Sequence, residues 1–160
     1  MKTLVLGIGN PILSDDSVGI KIAIEIENRL REKYPEQNPP LGVKVKEVSI
    51  EGFSIMDEIA GYDRLILIDS IKTGKRKPGD VYKLSIENLS FTSHLSSSHG
   101  IDLATVIELG EKLGYKIPQI IDIYAIEVED NTTFAEECTH KVRIKIPMIV
   151  DEIIEAIDGM

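Results

Sequence analysis

The sequence predicts an α/β fold: a single domain over residues 1–160, built on a mostly parallel twisted sheet of about five strands with helices on both faces. Three observations carry this expectation. Short apolar runs alternate with longer amphipathic stretches along the chain, the pattern of strands separated by crossover helices. Leu65–Ile68 is continuously apolar, as a central strand covered on both faces must be. Val18, Ile22, Ile26 and Leu30 fall four apart, which lines one stripe of a helix able to close over such a sheet. With 160 residues, 42% hydrophobic and 28% charged, the chain is long enough to bury a proper core.

Taken in order, Thr3–Gly7 reads as a buried strand, and the helix striped by Val18 to Leu30 ends near the Tyr34–Pro40 segment. Val43, Val45 and Val48 suggest a second strand, and Phe53–Ile59 a short helix. The central strand Leu65–Ile68 ends in Asp69. Residues 72–80, KTGKRKPGD, combine four basic side chains with Gly and Pro and read as a solvated loop before a strand at Val81–Leu84. Ser90–Ser98 is a polar loop, followed by a helix carrying Leu103, Val106, Ile107, Gly110 and Leu113 with Ser98 as candidate N-cap. Ile120–Ile126 is the next strand. The last apolar face, Ile146 to Ile157, is helical, and Pro147 must either start that helix or kink a longer one beginning near Phe134.

Charge and cysteine content narrow the function. The 27 Asp and Glu outnumber the 18 Lys and Arg, giving a net charge of −9 that repels phosphate backbones and anionic headgroups. Neither nucleic acid nor a membrane surface is an expected partner. No apolar run approaches the ~20 residues of a membrane span, and Leu4–Ile8 is too short for a signal-peptide core. The lone Cys138 forms neither an internal disulfide nor a cysteine-based zinc site, so a cytoplasmic location is expected.

The residues that could carry chemistry gather after predicted strands. Gly7-Ile8-Gly9-Asn10-Pro11-Ile12 invites a dinucleotide-binding reading, but the third glycine of G-x-G-x-x-G would fall on Ile12 and the acidic residue expected ~20 positions on has no clear counterpart. Gly74-Lys75 is followed by Arg76 and precedes a strand, which excludes a phosphate-binding loop, and no organic cofactor is expected. Ser14, Asp15, Asp16 and Ser17 crowd the start of the first long helix. Ser14 or Asp15 is expected to cap that helix, while a second, adjacent acid points elsewhere, towards the crevice at the strand ends where open α/β sheets bind ligands. Asp69 lies at the same edge, and His99 directly precedes a helix. Two carboxylates and one imidazole on one edge supply ligands for a borderline divalent metal with coordination positions left open. His94 reads as a solvated loop histidine, and Cys138 and His140, two apart, point in different directions.

The run from Gly7 through Asp15-Asp16 to Gly19, with Leu65-Ile66-Leu67-Ile68-Asp69-Ser70 and Ser98-His99-Gly100-Ile101-Asp102-Leu103, resembles the [NiFe]-hydrogenase maturation endopeptidases. The resemblance runs from Met1 to about Ile157, and G-x-G-N-x-x-x-x-D-D-x-x-G is its most specific part. It implies that Asp16, Asp69 and His99 bind metal and carry the reaction through it. It also implies removal of a C-terminal peptide from the precursor of the hydrogenase large subunit once nickel is inserted, with the Ni²⁺ carried by that substrate on its cysteines. A second function open to the same three ligands is a non-enzymatic nickel sensor or metallochaperone, and a third, of another class, is a nucleotide-binding module using GIGNP, against which the missing glycine argues.

Overall fold

A computed structural model of the protein describes residues 1–49, 54–85 and 103–159. Its sheet has five strands: β1 (Thr3–Ile8), β2 (Val43–Val48), β3 (Arg64–Ile71), β4 (Val81–Ser85) and β5 (Ile120–Glu127), in the spatial order β2-β1-β3-β5-β4. All pairings are parallel except β4 with β5. The fold class expected from the sequence is therefore the one observed.

Short 3-10 turns lie at Asp15–Ser17 and Pro40–Gly42, and the α-helices are α1 (Val18–Lys33), α2 (Ser54–Ile59), α3 (Leu103–Lys112), α4 (His140–Arg143) and α5 (Ile146–Asp158). Strand periodicity sorts them onto two faces, since successive side chains point to opposite sides. Val5, Ile66, Ile68, Tyr124 and Ile126 pack under α1 and α5, against Ile22, Ile26, Ile149 and Ile153. Leu4, Leu6, Leu65, Leu67 and Ile123 pack under α2 and α3, against Ile59, Val106 and Ile107. Every residue of β1 and β3 is buried, which explains why Leu4–Leu6 and Leu65–Ile68 run apolar without alternation.

Several boundaries differ from those read in the sequence. β3 continues two residues past Asp69 to Ile71, because Ser70 and Ile71 still pair with Ile126 and Glu127 of β5. Pro147 sits in the first turn of α5, where its missing N–H costs nothing, and no kinked helix begins at Phe134. The candidate N-cap Ser98 lies outside the described residues.

The topology fixes where a ligand can sit. β1 leads through α1 to β2 on one side, while β3 leads to β4 at the opposite edge. The two outgoing chains therefore diverge at the C-terminal ends of β1 and β3 and leave a crevice there. Polar burial agrees with this: of the buried polar residues Thr3, Ser14, Asp15, Ser17, Arg64, Asp69, Ser70 and Glu127, all but Thr3 and Arg64 lie at that end of the sheet. Among the described residues, no helix is long and apolar enough to cross a membrane.

Candidate functional site

Two glycines bring the chain after β1 onto the strand ends. A Cβ on Gly9 would stand 2.0 Å from the carbonyl oxygen of Asp16. One on Gly19 would stand 2.4 Å from the carbonyl of Ile68 and 2.6 Å from that of Ile8. Only hydrogen fits in these gaps, so the first turn of α1 rests on the seam between β1 and β3, and the preceding 3-10 turn, Asp15–Ser17, lies against the loop after β1. This is the physical content of the glycine spacing in the opening motif.

The two adjacent acids of that turn separate. Asp15 is fully buried, and its carboxylate accepts the N–H groups of Glu129 (3.0 Å), Asp130 (2.9 Å) and Thr139 (2.7 Å) together with the Thr139 hydroxyl (3.0 Å). It does not cap the helix; it ties residues 129–139 to the site loop. Ser14 does not cap either, since its hydroxyl donates to the Glu137 carbonyl at 3.2 Å. The backbone repeats this seam through Ser14 N–H to Thr133 and Asp15 N–H to Asp130, at 2.9 and 2.8 Å.

Asp130 organises the same segment from within. Hydrogen bonds from the Thr133 hydroxyl (2.6 Å) and the Thr132 and Thr133 N–H groups (3.0 Å each) lower its carboxyl to about 2.

Asp16 is half-buried, and Oδ1 accepts the Ser70 hydroxyl at 2.8 Å, its one hydrogen bond among the described residues. Asp69 is fully buried, and its Oδ1 accepts the Ser70 N–H at 2.8 Å. Ser70 therefore holds both carboxylates, one through its backbone and one through its side chain. The strand alternation places Asp69 on the α2/α3 face with Leu65 and Leu67, and Ser70 on the α1 face with Ile66 and Ile68. The pair of acids thus brackets the end of β3 from its two sides.

His99 and His94 lie outside the described residues. Among the described residues no group of three or more His, Cys, Asp or Glu side chains gathers as a metal site. Cys138 and His140 part as their spacing predicts. The Cys138 thiol is buried against the Ser14 carbonyl and the Ser17 hydroxyl, and burial pushes its pKa up, whereas His140 is exposed at the start of α4.

Two features had no counterpart in the sequence reading. Ser70, one step beyond Asp69, is the bridge between the carboxylates, and its only signal was a hydroxyl beside an acid at a strand end. Glu127, buried at the end of β5, accepts the N–H groups of Thr73 (2.8 Å) and Gly74 (3.4 Å) and the hydroxyls of Thr73 and Tyr82. Burial works to raise its pKa, but these bonds outweigh it and hold the carboxyl below the ordinary range. Nothing in the sequence marked it.

The family model described as hydrogenase maturation protease matches residues 7–156. The hydrogenase 2 maturation protease of Escherichia coli K12 is 31% identical over 109 residues, covering 67% of this chain and 62% of that protein's length. Among solved structures, the hydrogenase maturating endopeptidase HybD from E. coli superposes with a TM-score of 0.77 at 23% identity, covering 99% of this chain and 93% of that one. The [NiFe] hydrogenase maturation protease HybD from Thermococcus kodakarensis gives 0.69 at 24% identity, with coverage of 98% and 99%. At these identities the structural likeness establishes the fold.

Proposed function

Because the chain belongs to the hydrogenase maturation protease family, we propose that it is an endopeptidase that removes a C-terminal peptide from the nickel-loaded precursor of a [NiFe]-hydrogenase large subunit, using Asp16, Asp69 and His99. The observation that carries this reading is the Ser70 bridge. It fixes two carboxylates at the crevice between β1 and β3 and leaves Asp16 one oxygen without a partner among the described residues. His99, four residues before α3, supplies the third donor in this reading. Buried Cys138 suits a reducing compartment, and the cytoplasm is the location proposed.

The donor set also bears on where the metal resides. Two carboxylates and one imidazole, with no thiolate, hold a free borderline ion only weakly against water. Nickel already held by cysteines of the precursor has lost its translational freedom, so docking adds ligands to a fixed ion and tightens the pair far beyond either contact alone. Nickel is then part of the substrate. Ligation by His99 requires neutral imidazole, so cleavage falls as pH drops through the histidine range, about 6.5 for an unshifted side chain.

The test is to incubate chelator-stripped protein with nickel-loaded and nickel-free precursor and to read the intact mass of the large subunit. Only the nickel-loaded form should shorten, and D16A, D69A and H99A should each abolish the change. Equal cleavage of both forms would refute the substrate-borne metal. Nickel-dependent binding without any shortening would instead identify a sensor or metallochaperone.

A further inference from the structure

The basic segment at residues 72–80 was expected to be a plain solvated turn, but it is held like part of a site. Residues 72–77 carry four cations and residues 141–145 three, seven of the 18 Lys and Arg in a chain of net charge −9. The fold brings these distant segments together: a Cβ on Gly79 would stand 2.6 Å from Lys145 Cγ and 3.0 Å from the Lys141 carbonyl. An open groove runs between them, walled by Lys72, Arg76 and Lys141, with Glu127 and Glu129 also in its lining.

The loop is fixed rather than merely exposed. Buried Glu127 grips Thr73 and Gly74, its backbone pairs with Gly79 N–H (2.7 Å) and the Asp80 carbonyl (2.9 Å), and Arg76 stacks 3.9 Å from the Tyr82 ring while donating to the Val81 carbonyl. Lys141 and Arg143 pair with Glu129 and Glu137, but among the described residues Lys72, Lys75, Lys77 and Lys145 make no ion pair. Glu129 and Glu137 thus answer two of the seven cations, and the four lysines without an ion pair leave positive charge on the rim that an anion can take up.

Its position suggests which anion. Lys72 directly follows β3, the strand that carries Asp69 and Ser70, and Ile71 lies beside Glu127 of β5, so the cationic rim begins at the end of that strand on the same edge of the sheet as the Asp16–Asp69 pair. A ligand spanning both must present positive charge to the carboxylates and negative charge to the rim.

We propose that the rim formed by residues 72–77 and 141–145 is the docking surface for the C-terminal tail of the precursor, receiving its acidic side chains or terminal carboxylate while the nickel-bearing segment sits at Asp16 and Asp69. This rests on the function proposed above and adds to it the element that recognises the peptide to be removed. The rim raises the rate of encounter and holds the tail across β3. Its contribution is to binding, and it touches no reacting atom.

The test uses the charge reversal K75E/K77E, because both side chains are exposed and, among the described residues, the hydrogen bonds of these two lysines are made by their backbone, with Thr73 and Asp80. Affinity for the nickel-loaded precursor of the same organism's large subunit is measured by surface immobilisation at 0.05 and 0.5 M salt, alongside cleavage. Wild type should bind about tenfold more tightly than the variant at low salt, and the difference should shrink at high salt as the Debye length falls below 10 Å. KM should rise with kcat unchanged. A precursor lacking the tail should bind both proteins alike. Affinities within twofold of each other for the full precursor would overturn the proposal, as would an equal loss for the tail-less one, which would place the contact on the body of the subunit. Salt-sensitive, tail-dependent binding without cleavage would uphold the docking surface and defeat the protease reading instead.

Discussion

Adjacent Asp15 and Asp16 make a sharp test, because the structure gives two identical side chains opposite work. In D15N one of the two buried oxygens becomes an amide that donates, and at least one N–H of residues 129–139 then faces a donor in place of an anion. A hydrogen bond to a charged group contributes about 1.5–3 kcal/mol, and the remaining bonds lose their charge assistance. The expected cost is about 2–4 kcal/mol, a large share of the 5–15 kcal/mol typical of a domain. At about 2–4 °C per kcal/mol for a chain of this size, the melting temperature should fall by roughly 4–16 °C. Backbone amide exchange should speed up over residues 129–139 before it does in β1 or β3. D16N keeps an oxygen that can accept from Ser70 and leaves no buried donor stranded, so its stability should change by less than about 1 kcal/mol while cleavage of nickel-loaded precursor is lost. Thermal denaturation, hydrogen exchange and intact-mass cleavage assays on the two variants decide the matter. A D16N as destabilised as D15N, or a D15N that melts with wild type, would refute the division of labour.

Three further outcomes are expected. G9A forces a Cβ against the Asp16 carbonyl, a backbone clash that cannot be relieved by a side-chain rotation, so it should lose at least about 1–3 kcal/mol in urea denaturation and cleave poorly through a displaced Asp16. Asp130, lowered to about 2 in the folded chain, contributes stability that is fully present above its unfolded value near 3.9 and is lost as pH falls through about 2. The stability gap between wild type and D130N should therefore be constant above about pH 5 and narrow between about pH 4 and 2, and a gap that widens on acidification would contradict the assignment. Cys138, buried and with its pKa pushed up, should resist alkylation by iodoacetamide at pH 8 in the folded protein and react promptly once urea unfolds it.

What the sequence determined by itself follows from periodicity and local chemistry. The apolar run Leu65–Ile68 of β3 and the four-residue stripe of α1 are consequences of burial on two faces and on one, so they were legible without coordinates, as was the placement of Asp16 and Asp69 at the C-terminal edge of the sheet. The motif glycines were visible as letters, but their reason, a carbonyl 2.0 Å or 2.4 Å from an absent Cβ, exists only once β1, β3 and α1 are packed. Tertiary structure likewise decided which of two neighbouring acids faces inward. Asp15 finds donors 114 to 124 residues away, and no local rule predicts partners at that separation, so the expectation of a helix cap gave way to a long-range clamp. Ser70 and Glu127 became informative for the same reason. A hydroxyl or carboxylate is unremarkable in sequence, and its work is set by which distant groups the sheet register brings within 3 Å, here Asp16 for Ser70 and Thr73 for Glu127. The basic run at residues 72–77 read as a solvated turn because its charges are exposed, and only the folded chain sets it against a second cationic segment at the edge of the site.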